Sequence, residues 1–350
     1  MAKRHFYLQW DSTDNCNLRC KHCYHGGKDS HIQTRDLMSI DKVYSMIDDL
    51  DNTASKWDMR PRIAISGGEP LKRLDLYDIL RYTQDKEMIT NLLTNGTLLS
   101  RRKSKDIKEL GINTIQVSID GIPETHNEIR GREYAFDRAV EGINNASSEK
   151  IEVVVSMTAT KKNQHEFEEV IQIAYEAGAK RVGFKTYVPS VELGSNDPLY
   201  LDSSEIFKLI THTNELTEKY DGKIQILHSD VLFQILEPDN ELIDDAKKED
   251  KFLWGCAAGY RSLSVLSDGT VYPCRRLPVS IGNISEGITK LVLDSEVMQD
   301  LRDMRKMREN TLCDKVVHCR GCRAISYAVT GDYMAKDPMC FKDFVEIKDG

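Results

Sequence analysis

Three cysteines stand at positions 16, 20 and 23 in the stretch CNLRCKHCY, and six more at 256, 274, 313, 319, 322 and 340. None lies between 24 and 255. Thiols scattered through a core would not leave such a gap. The opening MAKRHFYLQWD has a basic start but no apolar signal core, so the chain is expected in the cytoplasm. Thiols there stay reduced, which favours metal ligation over disulfides. Thiolates at C-x3-C-x2-C on a loop can converge on one point. Four-iron clusters usually take four cysteines, so three leave one iron open to a small chelating molecule. Zinc is the alternative, with His22 or His25 as a fourth ligand, or with water.

Other signals recur where strands are expected to end. AISGGEPL, residues 64–71, closes on Gly67, Gly68 and Glu69, where bare backbone lets a ligand approach and the acid can meet an ammonium group. LLTNGTLL at 92–99 carries Asn95, and VSIDG at 117–121 carries Ser118 and Asp120. In parallel α/β folds the carboxyl ends of the strands are where sites are built.

The elements that must position these residues follow from periodicity. Short runs rich in Val, Ile and Thr lie at 4–10, 63–65, 89–94, 114–119, 151–157 and 181–187. Their near-continuous apolar character predicts parallel strands buried on both faces. Amphipathic segments near 40–50, 74–85, 101–110, 134–147, 164–177 and 203–219 alternate with them. Six such units predict an α/β fold with a partial (β/α)6 barrel; eight would close one. Residues 1–235 are assigned to this barrel, 236–252 to a polar linker or bridging helix, and 253–350 to a small, cysteine-rich, separate module.

A net charge of −8 argues against a general affinity for nucleic acid or anionic membrane. The one basic run, SRRKSK at 100–105, is expected to be the solvated start of a helix. No apolar stretch approaches 18 residues, so none predicts a membrane span.

Taken together, these motifs resemble the radical S-adenosylmethionine (SAM) superfamily over residues 4–340. The resemblance implies that Cys16, Cys20 and Cys23 hold a [4Fe–4S] cluster whose open iron binds SAM. It places Tyr24 near the adenine, and Gly67, Gly68 and Glu69 at the SAM amino group. Asn95 would line the pocket, with Ser118 and Asp120 near the ribose and carboxylate, Arg130 as a carboxylate partner, and Ser156 alongside.

The later cysteines, with Gly269 in SDGTVYPC, the CRGCR turn and GDY before DPMC, resemble the SPASM extension that carries auxiliary iron–sulfur clusters. By position, Cys256, Cys274 and Cys322 would form one set and Cys313, Cys319 and Cys340 another, giving one or two auxiliary clusters. The family's pattern has a further cysteine where this chain has Asn310, and its last gap is one residue longer. Missing ligands would come from Asp314, His318 or Asn310, from a smaller cluster, or from an iron left open; zinc is again the alternative.

The implied function is a radical SAM oxidoreductase or maturase that abstracts hydrogen from a ribosomally made peptide to form a crosslink or thioether. The alternative is dehydrogenation, epimerisation or decarboxylation of a small molecule such as a sugar or tetrapyrrole, and the CRGCRAISYAVTGDY ending resembles haem-pathway members. A non-catalytic electron carrier would need no SAM pocket. Arg275 stands where sulfatase-maturing relatives have Asp, which argues against that activity, and with Arg276 it suits a carboxylate-bearing substrate. A flavodoxin- or ferredoxin-type reductant is implied. A separate leader-binding protein would serve a peptide substrate, because the chain is expected to start at its first strand.

Overall fold

The computed structural model describes residues 4–24, 37–112, 114–238, 240–249, 251–313 and 315–346. Strands β1 (His5–Asp11), β2 (Arg60–Ser66), β3 (Ile89–Thr94), β4 (Thr114–Ser118), β5 (Glu152–Ala159), β6 (Arg181–Thr186) and β7 (Gln225–Leu227) pair in that order, all parallel. Helices α1 (Ile40–Lys56), α2 (Leu76–Asp85), α3 (Arg101–Glu109), α4 (Pro123–Arg130), α5 (Ala135–Ser148), α6 (Phe167–Glu176) and α7 (Ser203–Lys219) connect them. The six expected strands are present. The seventh, β7, spans only Gln225–Leu227, too short to raise a periodic signal.

The strands' side-chain pattern departs from expectation, and the departure creates the site. In β1, Phe6, Leu8 and Trp10 are fully buried, while His5, Tyr7 and Gln9 between them are only partly buried. In β4, Ile115 and Val117 alternate with Gln116 and Ser118 in the same way. Successive strand residues point to opposite faces, so one face of the sheet is apolar and the other polar. The apolar face packs on the helices: α1 contributes Val43, Met46, Ile47 and Leu50, a stripe at helical spacing. The polar face lines a cavity bordered by β1 and by β4 through β7, so the sheet curls around it as a partial barrel.

The polar stretch beyond the barrel forms α8 (Glu241–Glu249), with Ile243 and Ala246 buried. The cysteine-rich segment, expected as a separate module, instead shares the barrel's sheet. Strand β8 (Ser262–Val265) pairs in parallel with β1, from Tyr7↔Ser262 to Trp10↔Val265. Two antiparallel strands, β9 (Thr270–Tyr272) and β10 (Gly282–Asn283), complete a ten-stranded sheet. Helices α9 (Ile288–Asp294), α10 (Glu296–Arg302), α11 (Met304–Thr311), α12 (Arg323–Thr330) and α13 (Lys342–Glu346) follow. Among the described residues no helix is long and apolar enough to cross a membrane.

Because β8 caps the open side of β1, truncation after residue 252 would bare a full row of β1 backbone groups. We expect the 1–252 fragment to aggregate or bind a β-sheet dye at micromolar concentration. A monodisperse fragment with an unchanged far-ultraviolet spectrum would contradict this role for β8.

Candidate functional site

The cysteine loop leaves β1 at Asp11 and is seated at once on the end of β2. Ser12 N–H donates to Ser66 O at 2.8 Å, Gly68 N–H to Thr13 O at 2.6 Å, and Glu69 N–H to Asn15 O at 2.9 Å. Side chains at the two glycines would prevent this. A Cβ at Gly67 (φ +126°) would lie 2.4 Å from Thr13 O, and one at Gly68 2.6 Å from Asn15 O. The glycines thus seat the cysteine loop as well as lining the cavity. Farther along, Arg19 N–H donates to Arg130 O (3.1 Å) and Lys21 N–H to Ile129 O (2.8 Å). These are carbonyls at the C-terminus of α4, which the helix itself leaves without partners.

Cys16, Cys20 and Cys23 all line one cavity of about 900 Å³. Polar groups reach two of the sulfurs: Asn95 Nδ2 lies 3.8 Å from Cys16 Sγ, and an Arg130 guanidinium nitrogen 3.7 Å from Cys20 Sγ. Burial pushes the Cys20 thiol up to about 11, with Arg130 opposing the rise, and pushes Cys16 up as well. Such thiols keep their protons until a metal displaces them. Burial also pulls His22 down to about 4, so its imidazole is neutral near pH 7; His25 lies outside the described residues.

Three sulfurs on one loop, all lining one cavity, fit an iron–sulfur cluster, whose thiolates each bind a different iron.

Seven of the nine residues expected around SAM line this cavity: Tyr24, Gly67, Gly68, Asn95, Ser118, Arg130 and Ser156. Ser118 and Ser156 are register partners on β4 and β5. Tyr24 is 39% exposed.

The other two, Glu69 and Asp120, do not line the cavity. The Glu69 carboxylate is fully buried, accepting from Leu71 N (3.1 Å), Thr94 Oγ1 (2.8 Å) and Asn95 N (2.9 Å). It ties the β2 and β3 ends together, and burial raises its pKa. Asp120 is likewise fully buried. Its Oδ1 accepts from Thr158 N (2.9 Å), and its Oδ2 lies 2.7 Å from Arg130 Nε and 3.4 Å from His22 Nε2. Burial opposes its ionisation, but Arg130, His22 and His126 hold its carboxyl below the usual range. Asp120 therefore positions Arg130, and through it meets Cys20.

The same cavity is also lined by Cys256, Cys274 and Cys322, together with Lys185, Arg275 and Arg276. Burial raises the Cys322 thiol to about 12. Cys313, Cys319 and Cys340 line a second cavity of about 90 Å³. The CRGC tetrapeptide thus gives one sulfur to each set, with Asp337 between them: it lines the second cavity while its Oδ2 accepts from Cys322 N at 2.6 Å. Of the suggested extra ligands, exposed Asn310 and buried His318 line neither cavity, and Asp314 lies outside the described residues. Arg275, expected to face the cavity as a ready cation, is paired with Asp11. Lys185 escaped the sequence reading; its signal was a cation inside the run RVGFKTY, beyond Arg181 at its start.

Comparison with known proteins bears on this geometry. The Radical SAM superfamily profile matches residues 10–174, and SPASM, an iron-sulfur cluster-binding domain, matches 256–323. The chain is 32% identical over 349 residues to an AdoMet-dependent heme synthase of Methanosarcina barkeri, covering 95% of each chain. It is 30% identical to the Fe-coproporphyrin III synthase of the same organism, covering 97% of this chain and 88% of that one. Among solved structures, Streptococcus suis SuiB bound to S-adenosylmethionine superposes with a TM-score of 0.75 at 15% identity, over 97% of this chain and 77% of SuiB. SuiB has also been solved bound to its precursor peptide SuiA.

Two substitutions test the seating of the loop and the setting of its sulfurs. Gly68→Ala should unseat residues 14–15 and cost about four irons per chain after anaerobic reconstitution, the content of one cube; unchanged iron would refute the seating. Arg130→Gln removes a cation and a donor from Cys20, so the midpoint potential of that cluster should fall in a paramagnetic-resonance titration, with Arg130→Lys intermediate.

Proposed function

Because the chain belongs to the radical SAM superfamily and carries a SPASM cluster-binding segment, we propose that it oxidatively tailors the side chain of a carboxylate-bearing tetrapyrrole. The observation that carries this reading is the end-to-end likeness, at 32% identity, to a heme synthase. When bound, the family's cluster and SAM supply a 5′-deoxyadenosyl radical, which can take hydrogen from an unactivated carbon as no ionic side chain can.

The chain's own part is positional. The loop of Cys16, Cys20 and Cys23 and the set of Cys256, Cys274 and Cys322 line the same cavity. A substrate there would lose a hydrogen atom to the radical and pass an electron to an iron–sulfur cluster held by the second set. Where the leaving group is a carboxylate, it departs as carbon dioxide and an alkene remains, so atoms and electrons balance. Polar groups on β1, β4 and β5, such as Gln9, Gln116 and Ser156, orient the ligand without competing for the radical's hydrogen. The electron that starts each cycle comes from a flavodoxin- or ferredoxin-type donor.

A ribosomally made peptide is the second reading, favoured by the fold shared with SuiB. A separate leader-binding protein belongs to that reading alone.

Reduced, reconstituted enzyme should be incubated anaerobically with SAM and, in parallel, iron coproporphyrin III or a short cysteine- and tyrosine-containing peptide. We expect 5′-deoxyadenosine to accumulate with the porphyrin, and a product lighter by a carboxyl group and one further hydrogen, or by two hydrogens. An unchanged porphyrin beside a peptide lighter by two hydrogens would reverse the order of the two readings.

A further inference from the structure

The cations beside the second thiol set are held in different ways. Arg275 pairs with Asp11. Arg323 donates to Tyr333 O at 3.1 Å and Ala335 O at 2.8 Å, and Arg276 donates from one nitrogen to Thr186 O at 2.8 Å. Lys185 is different: among the described residues, no hydrogen bond or ion pair holds its ammonium group. Its neighbours on β6, Phe184 and Thr186, are fully buried on the apolar face, so Lys185 extends into the lumen and lines the cavity.

The carboxylate that acts on Lys185 does not bind it. Asp230 gives Oδ2 to Thr186 N at 3.0 Å and Oδ1 to Leu232 N at 3.1 Å, and makes no ion pair with the lysine. Its charge nonetheless reaches both Lys185 and Arg276. Because Arg276 is anchored on Thr186, its guanidinium is fixed beside the residue next along β6. Two cations therefore share one corner of a 900 Å³ cavity with one carboxylate that already has two donors. Lys185 itself is exposed to the cavity, so its ammonium group is open to an anion that enters there.

We propose that Lys185 is a substrate-positioning residue that receives a carboxylate of the ligand, with Arg276 as the second donor of the clamp. The proposal takes the identity of that ligand from the tetrapyrrole reading. Lys185 lines the same cavity as Cys16, Cys20 and Cys23, so a carboxylate fixed on it limits which carbon can face that loop. The competing role is charge balance for a cluster on Cys256, Cys274 and Cys322; Cys274 and Cys322 already act electrostatically on Lys185.

The test uses reconstituted holoenzyme, wild type and the variants Lys185→Gln and Lys185→Arg, titrated with iron coproporphyrin III and with its tetramethyl ester, in which the carboxylates are masked. Wild type should bind the acid at least tenfold tighter than the ester. Lys185→Gln should lose about tenfold for the acid, as expected for one charge-assisted hydrogen bond, and nothing for the ester. Lys185→Arg should recover most of the loss. Iron content and the auxiliary midpoint potential should be unchanged in all three. Equal affinity of Lys185→Gln and wild type for the acid overturns the clamp. So does equal weakening of acid and ester together with a shifted potential, which assigns Lys185 to charge balance.

A second readout needs no tetrapyrrole. Acylation of Lys185, followed by mass spectrometry, should be suppressed by millimolar glutarate and not by glutaramide. If wild type binds neither porphyrin yet glutarate protects Lys185, the tetrapyrrole reading falls and the clamp stands. If glutarate gives no protection, the clamp falls.

Discussion

Everything in this molecule depends on how a short loop is clamped between a strand turn and a helix end. Residues 12–15 lie on the bare backbone of Gly67 and Gly68, and residues 19–21 hang from the last carbonyls of α4. Neither contact is strong alone, since a typical hydrogen bond nets about 1 kcal/mol. Together they fix the loop's backbone on both sides of Cys16 before any metal arrives, so the ordering cost of ligation is met in advance by the fold. Glu69 and Asp120 brace the two jaws from behind. One locks the β2 turn to the start of the β3 loop, the other locks Arg130.

The same division of labour runs through the barrel. A closed (β/α)8 barrel fills its interior with branched apolar side chains. Here the interior positions carry tyrosine, glutamine, serine and lysine, and stability comes from the outer face, where Phe6, Leu8 and Trp10 meet helices. A lumen left unfilled by aliphatic side chains costs packing energy but leaves room for a large polar ligand. The outer helices can supply the missing stability because the sheet is long.

Much of this was legible in the chain. Cysteine spacing marked the N-terminal loop, the family resemblance divided the later six, and the structure puts Cys256, Cys274 and Cys322 on one cavity with the loop and Cys313, Cys319 and Cys340 on another. Strands and helices were legible because they are local features that sequence encodes directly. What stayed hidden was direction. Sequence marks Glu69 and Asp120 as acids near a site but cannot tell whether a carboxylate faces the ligand or is consumed by amide donors behind it. Both are consumed. Alternation in YLQW and IQVS was present but short, and Val- and Ile-rich strands such as β5 masked it. Lys185 was hidden because a cation inside an apolar strand reads as an accident until the lumen is seen. Pairing of β1 with β8 was invisible because nothing local links two such distant segments.

That pairing shapes how the protein comes into being. Tyr7 leaves the ribosome well before its partner Ser262 is made. Contacts of such separation in sequence are slow to form, and until then one flank of the first strand waits with its amides and carbonyls bare. The nascent barrel can close its helical layers early but cannot be sealed until β8 has been translated. Expression conditions that slow elongation or supply holding chaperones should matter more for this chain than its ordinary composition suggests.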